Sequence, residues 1–117
     1  TNLKITVGGK VFFATLEDNA TAKDFIKKLP TTLKMENLYD REMCYHYGAG
    51  GLADSKTRSD NYEVGDIIYW KPRGSFVILY KQNGELFERI HLGRITEGDL
   101  NIFDGGGDME IKFELAE

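Results

Sequence analysis

Two neighbouring stretches, Ile67-Ile68-Tyr69-Trp70 and Phe76-Val77-Ile78-Leu79-Tyr80, limit the folds open to this chain more than anything else in it. Each is rich in β-branched and aromatic residues, which marks a strand. Side chains of a strand alternate between two faces, so a strand with one wet side reads apolar-polar-apolar. These two are apolar on both parities, and each has to be covered on both faces or nearly so. A chain of 117 residues has material for one core and one domain, residues 1–117. Strands covered on both sides in so short a chain imply a closed barrel or a tight sandwich with a helix packed across it. The closed barrel is the expectation.

The other segments supply the remaining strands. In LKITVGGKVFFATL, Leu3, Ile5 and Val7 alternate with Lys4 and Thr6, and Gly8-Gly9 provides two residues that tolerate the positive φ of a tight hairpin turn. The returning arm, Val11 to Leu16, is apolar at nearly every position and is expected to be covered on both sides. NATAKDFIKKLP changes period: Ala22, Phe25, Ile26 and Leu29 fall at helical spacing, Thr21 and Asp24 look like a capping box, and Pro30 ends the run. A helix of about three turns is predicted there. TTLKMENL and Arg41 to Tyr47 read as strands, and Gly48-Ala49-Gly50-Gly51 with Asp54 to Asn61 as loop. Phe87 to Ile95 is a further strand, with Ile90 and Leu92 on one face and Arg89 and His91 on the other. EGDLNIF offers at most two helical turns, and DMEIKFEL closes the chain as a strand with Met109, Ile111, Phe113 and Leu115 inward. The sum is a mainly β fold of about eight strands with one clear helix and one short helix.

Several function classes are excluded. The formal net charge is −4, with both signs interspersed, which argues against nonspecific nucleic-acid binding, a process that needs a dense cationic field. No apolar run approaches the roughly 20 residues that span a bilayer, so no membrane insertion is expected. The single cysteine, Cys44, has no partner for an intramolecular disulfide, and its closeness to His46 does not by itself make a nucleophile, which needs a lowered pKa. His46 and His91 lie far apart in sequence without a matching carboxylate pattern, so no zinc or other metal site is expected. Gly105-Gly106-Gly107-Asp108 lacks the helix and lysine of a phosphate loop. No spacing suggests a Ser-His-Asp arrangement, and nothing calls for a cofactor. The chain begins at Thr1, which leaves room for an upstream leader or domain; the compartment is not encoded in these residues.

The order of elements and several short motifs resemble cyclophilins. TAKDF in the first helix is similar to the Thr-Ala-x-x-Phe that opens the first helix of that family, and LGRITEGDLNIF is similar to its later strand-to-helix passage. EDNATAKDFIKKLP, YEVGDIIYW and LGRI resemble more closely the small bacterial cyclophilin-like domains of unassigned function. The resemblance spans nearly the whole chain and implies a cyclophilin-like β-barrel. True cyclophilins isomerise prolyl bonds, whose barrier is about 18–20 kcal/mol, using an arginine directed at the proline amide and a hydrophobic pocket for the ring. That machinery does not carry over. Where the family has Phe-His-Arg this chain has Lys34, Met35 and Glu36, and the glutamine segment that follows has no counterpart in MCYHYGAGG. No catalytic residue is assigned. Arg41 lies nearby as a stand-in for the missing arginine, though nothing in the spacing favours it.

Three groups are candidates for binding. Tyr69, Trp70 and Arg73 flank the break Lys71-Pro72-Arg73-Gly74, where an exposed aromatic and a guanidinium could meet an anionic or aromatic ligand; the competing reading is a core tryptophan beside an ordinary turn. Tyr45, His46 and Tyr47 precede the glycine loop and suit a pocket wall, or pack a short strand. Arg89 and His91 share a strand face that borders the substrate groove in cyclophilins, and a solvated charged face is the plainer account. The expectation is a cyclophilin-like domain that binds a peptide segment or small ligand without efficient isomerase catalysis. The alternative is a divergent prolyl isomerase using Arg41 or Arg73.

Overall fold

The computed structural model describes residues 1–116. Eight antiparallel strands close into a barrel in the order β1-β2-β7-β5-β6-β4-β3-β8. They are β1 (Asn2–Val7), β2 (Lys10–Leu16), β3 (Thr31–Leu38), β4 (Glu42–His46), β5 (Asp66–Trp70), β6 (Ser75–Leu79), β7 (Ile90–Glu97) and β8 (Met109–Leu115). One α-helix, α1 (Ala20–Ile26), follows β2, and two single turns of 3-10 helix lie at Lys71–Arg73 and Leu100–Phe103. Among the described residues no helix is long and apolar enough to cross a membrane.

The interior is filled by the inward parity of every strand: Leu3 and Ile5, Phe12 and Ala14, Leu33 and Met35, Met43, Ile67 and Tyr69, Phe76 and Ile78, Ile90 and Leu92, Ile111 and Phe113. Two rings from outside the sheet join them. Phe25 of α1 stacks on Phe76 with centroids 4.3 Å apart and meets Phe113 edge-on, while Phe103 stacks on Phe12 and lies against Tyr80. Phe76 stands near the start of β6 and Tyr80 just past its end, so these two rings pack at opposite ends of the interior.

The hairpin over Gly8-Gly9 forms as predicted, with Val7 opposite Lys10. Its returning arm does not: Val11 is 43% and Phe13 37% exposed, because no element covers the outer face of β2. The helix is shorter than its apolar spacing suggests, seven residues, and tightens into i→i−3 turns through Lys28 and Leu29 before Pro30. Its cap is Asn19, whose side chain accepts from the Ala22 N–H at 2.8 Å and donates to the His91 carbonyl at 2.9 Å. Thr21 and Asp24, expected to form the cap, instead hold the 52–55 loop. The Thr21 hydroxyl donates to the Ala53 carbonyl at 2.6 Å, and Asp24 accepts from the Ala53 N–H at 2.8 Å.

The strand expected from Phe87 begins at Ile90; residues 81–88 run outside the barrel, and Arg89 is joined to Arg58 by an isolated bridge. Of the four residues of β8 expected inward, Ile111 and Phe113 are buried, Met109 is half-buried, and Leu115 is 45% exposed at the end of its strand. The two stretches apolar on both parities are β5 and β6. Every residue of β6 is buried, and so is every residue of β5 except Trp70.

Candidate functional site

Because β5 and β6 are apolar outward as well as inward, they need cover on the outside of the barrel. Cys44, Ile68, Val77 and Leu79 form a second apolar cluster there with Tyr62, and Leu38 and Phe87 pack against it. Val77 is flanked by Cys44 on β4 and Ile68 on β5, in register with both. The 81–88 segment is tied down over one end by Tyr62, whose hydroxyl donates to the Lys81 carbonyl at 2.6 Å. The other end is open. A groove of about 260 Å³ remains, floored by Ile68, Val77 and Ser75 and walled by His46, Trp70, Arg73 and Phe87, with Leu38, Tyr39, Arg41, Glu42 and Glu85 at its far end.

The two ends of the groove differ in chemistry. At the far end the Arg41 guanidinium is buried, donates through Nε to Glu42 Oε1 at 2.8 Å, and is paired with Glu85 as well. It lies 5.0 Å from the Phe87 ring centroid and 5.4 Å from that of Tyr39. Burial raises the Glu42 carboxyl above its ordinary range, and the Arg41 charge opposes that rise. At the near end His46 Nδ1 and the Ser75 hydroxyl share a hydrogen bond at 2.7 Å, and Glu36 approaches the other ring nitrogen at 3.9 Å. Cys44 Sγ lies 3.8 Å from both ring nitrogens, but burial, and next the Glu42 charge, push the thiol up to about 12. A thiol so protonated is no nucleophile at neutral pH.

Arg73 stands apart from the other arginines. Arg41, Arg58, Arg89 and Arg94 each have a carboxylate within 4 Å; among the described residues Arg73 has none. Its backbone is nevertheless fixed. The Gly48 N–H donates to the Arg73 carbonyl at 3.0 Å, and the Tyr47 N–H to the Gly74 carbonyl at 2.8 Å. Gly74, at φ +60°, passes so close to the glycine loop that a Cβ would sit 1.8 Å from the Gly48 carbonyl oxygen. The turn that carries Arg73 is thus clamped while its side chain is free.

Of the residues singled out in the sequence, His46, Trp70 and Arg73 come together in this groove. Tyr69 points inward, its hydroxyl accepting from the Leu52 N–H at 3.1 Å. Tyr45 and Tyr47 pack edge-to-face against each other and against the interior cluster; burial raises the Tyr47 phenol to about 12. Arg89, just before β7, and His91, on β7, lie outside the groove. The plain expectation of a solvated face fails for Arg89, which is 1% exposed and donates to the backbone carbonyls of Asp60 and Phe87, so it pins the 58–61 and 81–88 segments to the barrel. His91 sits between Glu17 at 3.7 Å and Asp66 at 3.9 Å, with burial lowering its pKa. Among the described residues no group of three His, Cys, Asp or Glu side chains gathers to hold a metal ion.

The groove residues not singled out from sequence are of two kinds. Ile68 and Val77 belong to the doubly apolar strands, and their outward parity was the available signal. Glu42 shares the outward parity of Cys44 and His46 on β4, whereas Glu85 and Phe87 gave no signal, because the 81–88 segment reaches the groove only through the closure of the barrel.

A sequence model described as the cyclophilin-like family matches residues 5–114, nearly the whole chain. The chain belongs to the cyclophilin-like family. Among solved structures, the solution structure of the hypothetical protein AF2241 from Archaeoglobus fulgidus superposes with a TM-score of 0.71 at 16% identity, covering 98% of this chain and 94% of that one. At that identity the likeness concerns the fold. No curated protein matches the sequence. The cyclophilin-like barrel expected from TAKDF, YEVGDIIYW and LGRITEGDLNIF is the fold observed, and the missing Phe-His-Arg is visible in it: Lys34 and Glu36 of β3 point outward and Met35 inward.

Proposed function

We propose that this cyclophilin-like barrel is a binding domain whose site is the groove on the outer face of β5, β6 and β4, and that it takes a peptide segment or small ligand without efficient prolyl isomerisation. The observation that carries this is where apolar surface is left uncovered. Among the described residues seven large hydrophobics are exposed, and two of them, Tyr39 and Trp70, line the groove. Exposed apolar side chains around a concave apolar floor mark a place where something docks. A volume of about 260 Å³ lies just below the usual range for ligand pockets, which suits one side chain and its neighbouring backbone.

The absence of efficient catalysis rests on Arg41. An isomerase needs an arginine free to approach the proline amide, and the Arg41 guanidinium is committed to Glu42 and Glu85. A second reading keeps catalysis through Arg73, which stands uncommitted beside the apolar floor. A coupled prolyl isomerisation assay over several residues preceding proline separates the two. The binding reading expects no acceleration above the uncatalysed rate. Turnover that disappears in Arg73→Ala at unchanged stability would establish the isomerase instead. Binding is measured through Trp70, the one tryptophan of the chain, whose fluorescence reports the groove directly.

A further inference from the structure

Taking the groove as the binding site, we infer that its occupant is the C-terminal residue of a peptide, with the α-carboxylate on Arg73 and an apolar side chain over Ile68 and Val77. Charge comes first. Arg73 is the arginine without a carboxylate partner among the described residues, and it sits on a turn clamped by Gly74 against Gly48. A guanidinium offers a planar fork that matches a carboxylate. The His46–Ser75 pair beside it adds hydrogen-bonding groups at the same end. The opposite end is furnished with Glu42 and Glu85, which neutralise Arg41 and leave no cation for an anion to meet. Glu36 reaches this end only as far as His46, at 3.9 Å, and does not pair with Arg73, so a negatively charged group is favoured at the Arg73 end over the Arg41 end.

Spacing comes second. Ser75 marks the polar end and Val77 the apolar floor, two residues apart on one face of β6. That is about 7 Å along a strand. A carboxylate and a side chain borne by the same residue, each with its contact distance, span a similar length. An apolar terminal residue satisfies both ends at once, and the volume accommodates little more. The uncovered Tyr39 at the far end of the groove then meets the preceding part of the peptide, which a free small acid would leave unused.

The test is titration of Trp70 fluorescence with acetyl-Ala-Ala-Leu carrying a free carboxylate, the same peptide as its C-terminal amide, and N-acetyl-leucine. The free acid is expected to bind at least about fivefold more tightly than the amide. Arg73→Gln should erase that ratio by bringing the acid down to the amide, and Arg73→Lys should restore part of it. Equal affinity of acid and amide would overturn the carboxylate assignment while leaving the groove as a binding site. N-acetyl-leucine binding as tightly as the peptide acid would overturn the peptide and place small carboxylic acids there. Failure of both peptides, with a basic or proline-containing peptide binding instead, would overturn the assignment but keep the groove. No response to any peptide of either charge would overturn both.

Discussion

Ile78 and Val77 are adjacent on β6 and both are buried, yet they enter different clusters. Ile78 faces a closed interior in which every strand contributes its inward parity and Phe25 and Phe103 pack at opposite ends. Val77 faces outward into a smaller cluster whose cover is a loop, Phe87 and Tyr62 above all, and that cover stops short of Trp70. On the far side of the barrel the outward parity is Lys4 and Thr6 on β1 and Glu110 and Lys112 on β8, and no cover is needed. A barrel closes its inside by geometry. Its outside is sealed only as far as loops reach, and an apolar outer face that outruns its loop becomes a groove.

The comparison is tested most strongly by the same truncation on the two sides of the sheet. Leu92 and Leu79 are both fully buried, one in the interior cluster and one in the outer. Leu→Ala costs about 2–5 kcal/mol in buried sites, and the spread follows how well the site can collapse. Leu92→Ala is expected near the upper end, about 4 kcal/mol, because barrel walls cannot close on the cavity. Leu79→Ala is expected near the lower end, about 2.5 kcal/mol, because the 81–88 loop can settle onto the space. Urea unfolding measures both. Equal losses would mean that the outer cluster is as rigid as the core.

Next in size is Arg41. From sequence it is a catalytic stand-in that no spacing favours, and burial against Glu42 makes it structural: Arg41→Ala leaves a carboxylate buried without its cation, at a cost of about 3 kcal/mol. Arg41→Ala is thus no clean test of catalysis, and urea unfolding should show the loss. A variant with wild-type stability would mean that Glu85 and Glu42 do not depend on it.

How far the chain itself discloses these features follows from range. The hairpin, the closed barrel and the doubly apolar β5 and β6 are written in periodicities of a few residues, and the order of short motifs points to the cyclophilin-like fold. The cap at Asn19 instead of Thr21, and the wet faces of Val11 and Phe13, depend on whether a distant segment arrives: the 52–55 loop does reach Thr21, and nothing reaches β2. The groove is legible in part. His46, Trp70 and Arg73 carry local signals, whereas Glu85 and Phe87 enter it only because the barrel folds the 81–88 segment over β4. Arg89 misleads by the same route, since alternation places it outward and a loop then buries it.

Cys44 gives a smaller effect, visible only with pH. Its thiol is raised from an ordinary value near 9.0 to about 12, so the folded protein holds that proton more tightly than the unfolded chain. The stability this contributes is fully present below pH 9 and is lost as pH rises toward 12, by about 1 kcal/mol between pH 9 and pH 10. The raised phenols of Tyr47, Tyr62 and Tyr80 act in the same direction, so the thiol is isolated by comparing slopes with Cys44→Ala. Iodoacetamide at pH 8 should alkylate the native thiol more than about a hundredfold more slowly than the unfolded one. Rapid native alkylation would mean that the outer cluster opens to solvent, and the contrast with the interior would sharpen further.

The smallest stability change belongs to Arg73, and its smallness is informative. The residue is held through its backbone, by the Gly48 N–H on its carbonyl and by Gly74 beside it, and its side chain has no carboxylate partner among the described residues. Arg73→Ala should therefore shift unfolding by no more than about 0.5 kcal/mol, against about 3 for Arg41→Ala at the other end of the same groove. Two arginines lining one cleft would then have opposite duties, one holding the wall and one left free toward whatever enters. If Arg73→Ala instead destabilised the protein as Arg41→Ala does, its charge would be serving the fold, and a ligand would have no free cation to find.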